Sequence, residues 1–235
     1  MLYVVATPIG NLEDITHRAV RVLGEADVLA CEDTRRTGIL LKRYEIPRPQ
    51  RVISYHEHNE ERVGRQILEL LAEGLNVALC TDSGYPSVSD PGYKIISAAR
   101  EAGISIEVIP GASAVTMAIV ASGLPTSSYT FKGFSPRKSG QRKRFLEMDR
   151  DQPHTIVLFE SPHRTHKLLV DAIEVLGDRL AAVCVELTKK FERVDRGYLT
   201  ELATMYEGKK VRGEVTVVIA GNNPKFFNPE AEQSS

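Results

Sequence analysis

Short apolar runs alternate with stretches in which apolar side chains recur every three or four positions, and the alternation persists to about residue 220. The runs at 2–6, 27–31, 52–55, 77–80 and 104–109 are too short for buried helices and read as strands. Between them, 14–25, 34–44, 59–73 and 92–102 carry the helical period. In 14–25 the residues Ile15, Ala19, Val22 and Leu23 share one face; in 59–73 it is Val63, Ile67, Leu70 and Leu71, with Asn59 as N-cap and Gly74 as the stop signal. Strands that are apolar throughout and separated by helices predict a parallel sheet covered on both faces.

After Pro110-Gly111 the pattern continues with a small-residue helix at 112–122. The loop-like Gly123-Leu124-Pro125-Thr126-Ser127-Ser128 follows, and a domain boundary is expected in this neighbourhood. Strands at 129–133, 155–159, 182–187, 191–197 and 215–220 then mix with helices at 140–148, 164–176 and 200–206. The prediction is an α/β protein of two α/β domains, 1–115 with a mainly parallel sheet and 116–222 with a mixed sheet. Residues 223–235, with no apolar period, are expected to form a flexible tail.

Composition narrows the class. A chain of 235 residues with 42% apolar and 26% charged positions buries a core without disulfides. The longest apolar stretch, 115–121, is interrupted by Thr116 and is far shorter than the roughly 20 residues of a membrane span. Met1-Leu2-Tyr3-Val4-Val5 begins as a strand without a basic region or cleavage site, so a cytoplasmic location is expected. Cys31, Cys80 and Cys184 are odd in number and far apart, which predicts reduced core thiols and no zinc site. Net charge is −1, but the first 110 residues are acidic on balance and the remainder basic. The densest block, Arg137-Lys138-Ser139-Gly140-Gln141-Arg142-Lys143-Arg144, has five cations and no anion; it reads as either a solvated helix start or a phosphate-backbone contact.

In open α/β sheets ligands bind beyond the carboxyl ends of the strands. Four such loops stand out: Ala6–Leu12, Cys31–Gly38, Thr81–Gly92 and Pro110–Ala114, all expected at one edge. No G-x-G-x-x-G follows the first strand, no G-x-x-x-x-G-K-[ST] is present, and no G-x-S-x-G elbow supports a hydrolase. His56-Glu57-His58 and the pair His163 and His166 lack further ligands at zinc spacing. On the residues alone, the reading is a two-domain α/β enzyme with a cleft between domains.

A set of short motifs carries the reading further. Thr7-Pro8-Ile9-Gly10-Asn11-Leu12, Glu32-Asp33-Thr34-Arg35, Asp82-Ser83-Gly84-Tyr85-Pro86, Phe159-Glu160-Ser161-Pro162-His163-Arg164, Glu186-Leu187-Thr188-Lys189 and Arg212-Gly213-Glu214 stand in the order seen in one superfamily. With His56-x-His58-Asn59-Glu60, Ser89-Asp90-Pro91-Gly92-Tyr93 and Pro110-Gly111, they resemble the tetrapyrrole-methylase superfamily. Within it they are similar to the ribosomal RNA small-subunit methyltransferase I branch, over about residues 2–221. Members that methylate porphyrin precursors carry Gly-Asp-Pro where this chain has Gly84-Tyr85-Pro86.

The resemblance implies a homodimer that binds S-adenosylmethionine in the interdomain cleft. It also implies 2′-O-methylation of the ribose of a cytidine in the decoding region of small-subunit ribosomal RNA, free or in the assembled subunit. Its cofactor contacts fall on Pro8, Ser83, Gly84, Tyr85, Val88, Ser113, Ala114, Phe159, Glu160 and Leu187. Transfer in line from sulfonium to oxygen needs no metal, only alignment and loss of the hydroxyl proton. Asp33 is the candidate proton acceptor and Lys189 the candidate charge stabiliser. Arg35, Arg36, Arg137, Lys138, Arg142, Lys143 and Arg144 are candidate RNA contacts. A C-methylase of an anionic tetrapyrrole precursor and a non-catalytic RNA-binding module remain as alternatives.

Overall fold

The computed structural model describes residues 1–229. The chain divides into two compact units, one of Met1–Ser113 and a second beginning at Ala114. The loop 123–128 therefore lies inside the second unit. The helix before it packs on the second sheet, which moves the division upstream.

In the first unit, strands β1 (Leu2–Val5), β2 (Val28–Cys31), β3 (Arg51–Ser54), β4 (Val77–Cys80) and β5 (Ile106–Ile109) form one parallel sheet in the order β3-β2-β4-β1-β5. Helices α1 (His17–Glu25), α2 (Thr34–Arg43), α3 (Glu60–Ala72) and α4 (Tyr93–Glu101) connect them. Alternate strand residues feed two cores. Val5, Leu29, Cys31, Ala78, Cys80 and Ile109 meet α1 and α2 on one face, whereas Leu2, Val4, Val28, Ala30, Val77 and Leu79 meet α3 and α4 on the other. β2 and β4 are buried at every residue, as a sheet covered on both sides requires.

Helix α1 starts at His17 and not at residue 14, because the Thr16 hydroxyl caps it by accepting from Ala19 N, while Leu12–Asp14 form a separate 3₁₀ turn capped by Asn11. Asn59 stands at the N-cap of α3 but spends its side chain elsewhere. Its Oδ1 accepts from His56 N, and its Nδ2 donates to Ser54 O.

The second unit contains α5 (Ala114–Ser122), β6 (Tyr129–Phe134), α6 (Ser139–Glu147), β7 (Thr155–Glu160), α7 (Thr165–Leu176), β8 (Leu180–Val185), β9 (Arg193–Tyr198), α8 (Leu199–Tyr206) and β10 (Val215–Ile219). Its sheet runs β6-β7-β10-β8-β9, with β6 and β7 parallel and the remaining pairs antiparallel. Leu146, Leu168, Leu169, Leu199 and Leu202 from α6, α7 and α8 cover one face.

The expected flexible tail needs correction where it is described. Pro224–Phe226 form a 3₁₀ turn, Asn228 N and Nδ2 both donate to Asp178, and the Phe227 ring lies 5.1 Å from the guanidinium carbon of the fully buried Arg179. Residues 230–235 lie outside the described residues. Among those described, no helix is long and apolar enough to cross a membrane.

Candidate functional site

Because β1, β2, β4 and β5 are parallel, the four glycine- and proline-rich loops after them emerge at one edge of the first sheet. β1 and β4 are neighbours, yet the chain leaves β1 through α1 on one face and leaves β4 towards α4 on the other. This divergence is the topological switch point at which open α/β sheets form a crevice.

The two loops at that point are tied by backbone alone: Thr7 N donates to Gly84 O at 2.9 Å and Gly84 N to Thr7 O at 3.1 Å. The Thr7 hydroxyl donates to Thr81 O at 3.0 Å, and Gly111 N donates to the Tyr85 hydroxyl at 3.0 Å, so the loops after β1, β4 and β5 are one connected body. Gly84 has φ +75, a left-handed conformation that disfavours side chains. Gly111 is fixed by contact, since a Cβ there would lie 2.9 Å from Ala6 Cβ. The Thr81 hydroxyl is buried just after β4 without a hydrogen-bond partner among the described residues.

The loop after β2 joins through carboxylates. Asp33 N donates to Asp82 Oδ1 at 3.0 Å, and Arg36 Nη1 lies 3.2 Å from Asp82 Oδ2. Asp33 itself caps α2, accepting from Arg35 N at 2.8 Å and from the Arg35 guanidinium at 2.7 and 3.1 Å. These bonds, first of all the one from the Arg35 side chain, hold its carboxyl well below the usual carboxylate range. A carboxylate stabilised in its charged form is a weaker base, which counts against the expected proton-accepting role of Asp33.

In the second unit Glu160 ends β7 fully buried. Its Oε1 accepts from Ser161 N and pairs with Arg164 Nη2, both at 2.6 Å, and its Oε2 accepts from the Ser135 hydroxyl. Phe159 packs edge-on against Phe131 at 4.9 Å between ring centres. Leu187 is buried between Glu186 and Thr188, two non-glycine residues at φ +53 and +66. Glu186 is what holds this turn: its carboxylate accepts from Glu214 N at 2.9 Å and from Lys189 Nζ at 2.7 Å, in space that a Cβ on Gly213 would occupy. Lys189 also lies 3.1 Å from Glu214. Burial lowers the affinity of Lys189 for its proton, but the hydrogen bonds and charges of Glu186 and Glu214 outweigh burial and raise its pKa.

The basic block is not unpaired. Arg142 is 2% exposed and clasps Asp171 of α7, with Nε 2.7 Å and Nη2 2.5 Å from Oδ2, while Nη1 donates to the carbonyls of Pro136 and Arg137 at 3.2 Å. Lys143 lies 2.5 Å from Glu174. Arg142 is therefore withdrawn from the RNA-contact set, and Lys143 is neutralised within it; their anions come from a helix 30 residues downstream, out of sight of a local charge count. Arg137, Lys138 and Arg144 stay exposed, with no ion pair among the described residues.

Sequence reasoning also missed Asp82, Ser135 and Gly213 as organisers, although each stands inside or beside a motif already singled out. All three cysteines are buried thiols, and burial pushes Cys184 up to about 12. Among the described residues no group of three or more His, Cys, Asp or Glu is arranged to hold a metal ion.

Comparison with known proteins adds independent information. The family model for Tetrapyrrole (Corrin/Porphyrin) Methylases matches residues 1–203. The chain is 45% identical over 224 residues to a protein from Halalkalibacterium halodurans named ribosomal RNA small subunit methyltransferase I, covering 95% of this chain and 77% of that one. A protein of the same name from Thermotoga maritima is 43% identical over 220 residues, covering 94% of this chain and 98% of that one. Among solved structures, the uroporphyrin-III-C-methyltransferase from Thermus thermophilus superimposes with a TM-score of 0.65 at 23% identity, covering 93% of each chain, a likeness of fold.

Proposed function

Because the chain belongs to the Tetrapyrrole (Corrin/Porphyrin) Methylases, and among them to the ribosomal RNA small subunit methyltransferase I family, we propose that it methylates the ribose 2′-oxygen of a cytidine in the decoding region of small-subunit ribosomal RNA, using S-adenosylmethionine. The observation that carries this reading is the backbone bridge between Thr7 and Gly84 at the switch point of the parallel sheet.

The residues there fit the cofactor. The donors and acceptors are backbone groups and hydroxyls, including the orphaned Thr81 Oγ1, and a notional Cβ on Gly84 would lie in contact with Ile9 Cγ2 at 3.5 Å and Ala112 O at 3.8 Å, so a ligand could approach the bare backbone there. Such a surface suits an adenosine and an amino-acid end better than a polyphosphate, which calls for a cation or an amide-rich glycine loop. Pro8, Ser83, Gly84, Tyr85, Val88 and Ser113 are proposed to hold it, and the resemblance adds Ala114, Phe159, Glu160 and Leu187 to that set. Bound there, the group supplies an electrophilic methyl on a positively charged sulfur.

The chain's own task is then alignment and electrostatics. The loops orient the ribose hydroxyl in line with the methyl group. Lys189, held cationic by Glu186 and Glu214, stabilises negative charge on the attacking oxygen. The hydroxyl proton passes to solvent, since Asp33 is too weak a base to take it. Arg137, Lys138 and Arg144 meet RNA phosphates. Arg35 and Arg36 contribute despite their carboxylate partners, because exposed pairs are worth about 0–1 kcal/mol and exchange readily. The working form is a homodimer in the cytoplasm, acting on small-subunit ribosomal RNA or the assembled subunit.

The test is incubation with labelled S-adenosylmethionine and small subunits from cells lacking the gene, followed by nucleoside mapping. Label in 2′-O-methylcytidine is the expected result. Label on a base, or on a porphyrin precursor but not on RNA, refutes the proposal. Sedimentation at about twice the 26.0 kDa chain mass checks the dimer.

A further inference from the structure

The edge strand β6 contains an irregularity with a chemical consequence. Between the pairs Phe131 with Val157 and Phe134 with Phe159, β6 takes three steps where β7 takes two, and the surplus residue is accommodated beside Gly133 at φ +66. A bulge re-aims the side chain that follows it. In a regular strand Phe131 and Phe134 would face opposite sides; here both rings reach Phe159, Phe134 at 5.5 Å between centres and tilted by 59°. Phe134 nonetheless remains 58% exposed. Its backbone is pinned on the far side, where Ser135 N donates to Phe159 O and the Ser135 hydroxyl donates to Glu160. The ring is a fixed, solvent-facing aromatic plane.

Cations in the segment that follows it point to an anionic partner. Three and four residues beyond the ring, Arg137 and Lys138 are exposed cations without a carboxylate partner among the described residues. An aromatic plane flanked by unpaired cations is how single-stranded nucleic acid is held without reading its sequence.

We propose that Phe134 is a stacking platform for an unpaired base of the RNA substrate, with Arg137 and Lys138 taking the phosphates of the same strand. The proposal rests on the reading of the chain as an RNA methyltransferase and names how that substrate is gripped. A hydrophobic protein partner is disfavoured by the cations around a single exposed ring.

The chain contains no tryptophan, so Phe134→Trp installs a sole indole reporter at the platform. Titrated with a single-stranded RNA of roughly 12 nucleotides, its emission is expected to be quenched in parallel with the rise in anisotropy of a labelled strand. An oligonucleotide of the same length lacking bases should leave the emission unchanged. Phe134→Ala should weaken RNA binding by about tenfold or more with the salt dependence retained, and Phe134→Trp should restore it. Circular dichroism of Phe134→Ala is expected to match the parent, as the ring is mostly exposed.

Unchanged indole emission at saturating RNA, or parental affinity in Phe134→Ala, overturns the proposal. So does a shift of Phe134→Ala from dimer to monomer, which would assign the ring to a contact between copies. The nucleoside mapping on the parent protein is a separate measurement: quenching by RNA without methyl transfer to it would sink the assigned reaction and leave the platform standing.

Discussion

Replacing Arg142 by alanine separates two roles that its place in a basic block confuses. In the structure the guanidinium gives two nitrogens to Asp171 and one to the carbonyls of Pro136 and Arg137. Its removal leaves Asp171, 5% exposed, with the Ser139 hydroxyl at 2.8 Å and a distant Lys143 Nζ at 3.9 Å. Breaking a buried pair from one side costs about 3–5 kcal/mol, and the surviving partners place this case near the lower end. With a urea slope of about 2–3 kcal/mol/M, the midpoint of the second unit should fall by roughly 1–2 M, read by far-ultraviolet circular dichroism.

Arg142→Met combined with Asp171→Leu should recover most of the loss, because it removes the stranded charge as well as its partner. At temperatures where the variant is folded, the slope of log affinity against log salt for RNA should equal the parent's. Replacing Arg137, Lys138 or Arg144 should do the reverse, lowering the slope by about one unit for each phosphate left without its cation, at unchanged stability. The reasoning is refuted if Arg142→Ala keeps its urea midpoint while the salt slope drops.

Three further outcomes follow from the loops. Gly84→Val places a β-branched residue at φ +75 on the surface assigned to the cofactor, so S-adenosylmethionine binding by calorimetry should weaken at least about tenfold while the protein stays folded. Asp33→Asn should retain activity within about fivefold at pH 7, since a general base contributes about 10²–10⁴. Because the folded-state pKa of Asp33 is depressed, its contribution to stability is present above the unfolded value of about 4 and is lost as pH falls below it. Urea midpoints of the parent and the Asn variant should therefore converge on acidification, and equal spacing at pH 3 and pH 7 would contradict the pairing with Arg35. Gly213→Ala drives a Cβ into the Glu186 carboxylate at φ +87, and should raise KM for the cofactor through the displaced Leu187 turn; an unchanged KM would detach that turn from binding.

The first unit was legible because β1, β2 and β4 are continuous apolar runs and its helices keep their period, so local pattern and tertiary burial agree. The four ligand loops were likewise legible as glycine, proline and serine following strands. Pairings decided by distant residues were not. The anions that neutralise Arg142 and Lys143 lie on α7, and the role of Asp33 is set by an arginine two positions on and by the geometry of a cap. The bulge at Gly133 leaves no mark in an alternation too short to show a slipped phase. The docked segment at 224–228 looked structureless because its anchors, Asp178 and Arg179, stand some 50 residues earlier.

The order of strands in the first sheet also bears on how the chain is made. β1 leaves the ribosome before every other strand of its sheet, yet its partners are β4, with Leu2 opposite Val77, and β5, with Leu2 opposite Ile106. At 5–20 residues per second, the 75 residues separating Leu2 from Val77 take about 4–15 s to synthesise. Throughout that interval a wholly apolar tetrapeptide has no native neighbour, and the cheap local pairing of a hairpin is not open to a parallel sheet. Nascent chains of this protein arrested between residues 30 and 75 should therefore be held by chaperones or aggregate, and become protease-resistant only once β4 and β5 have emerged.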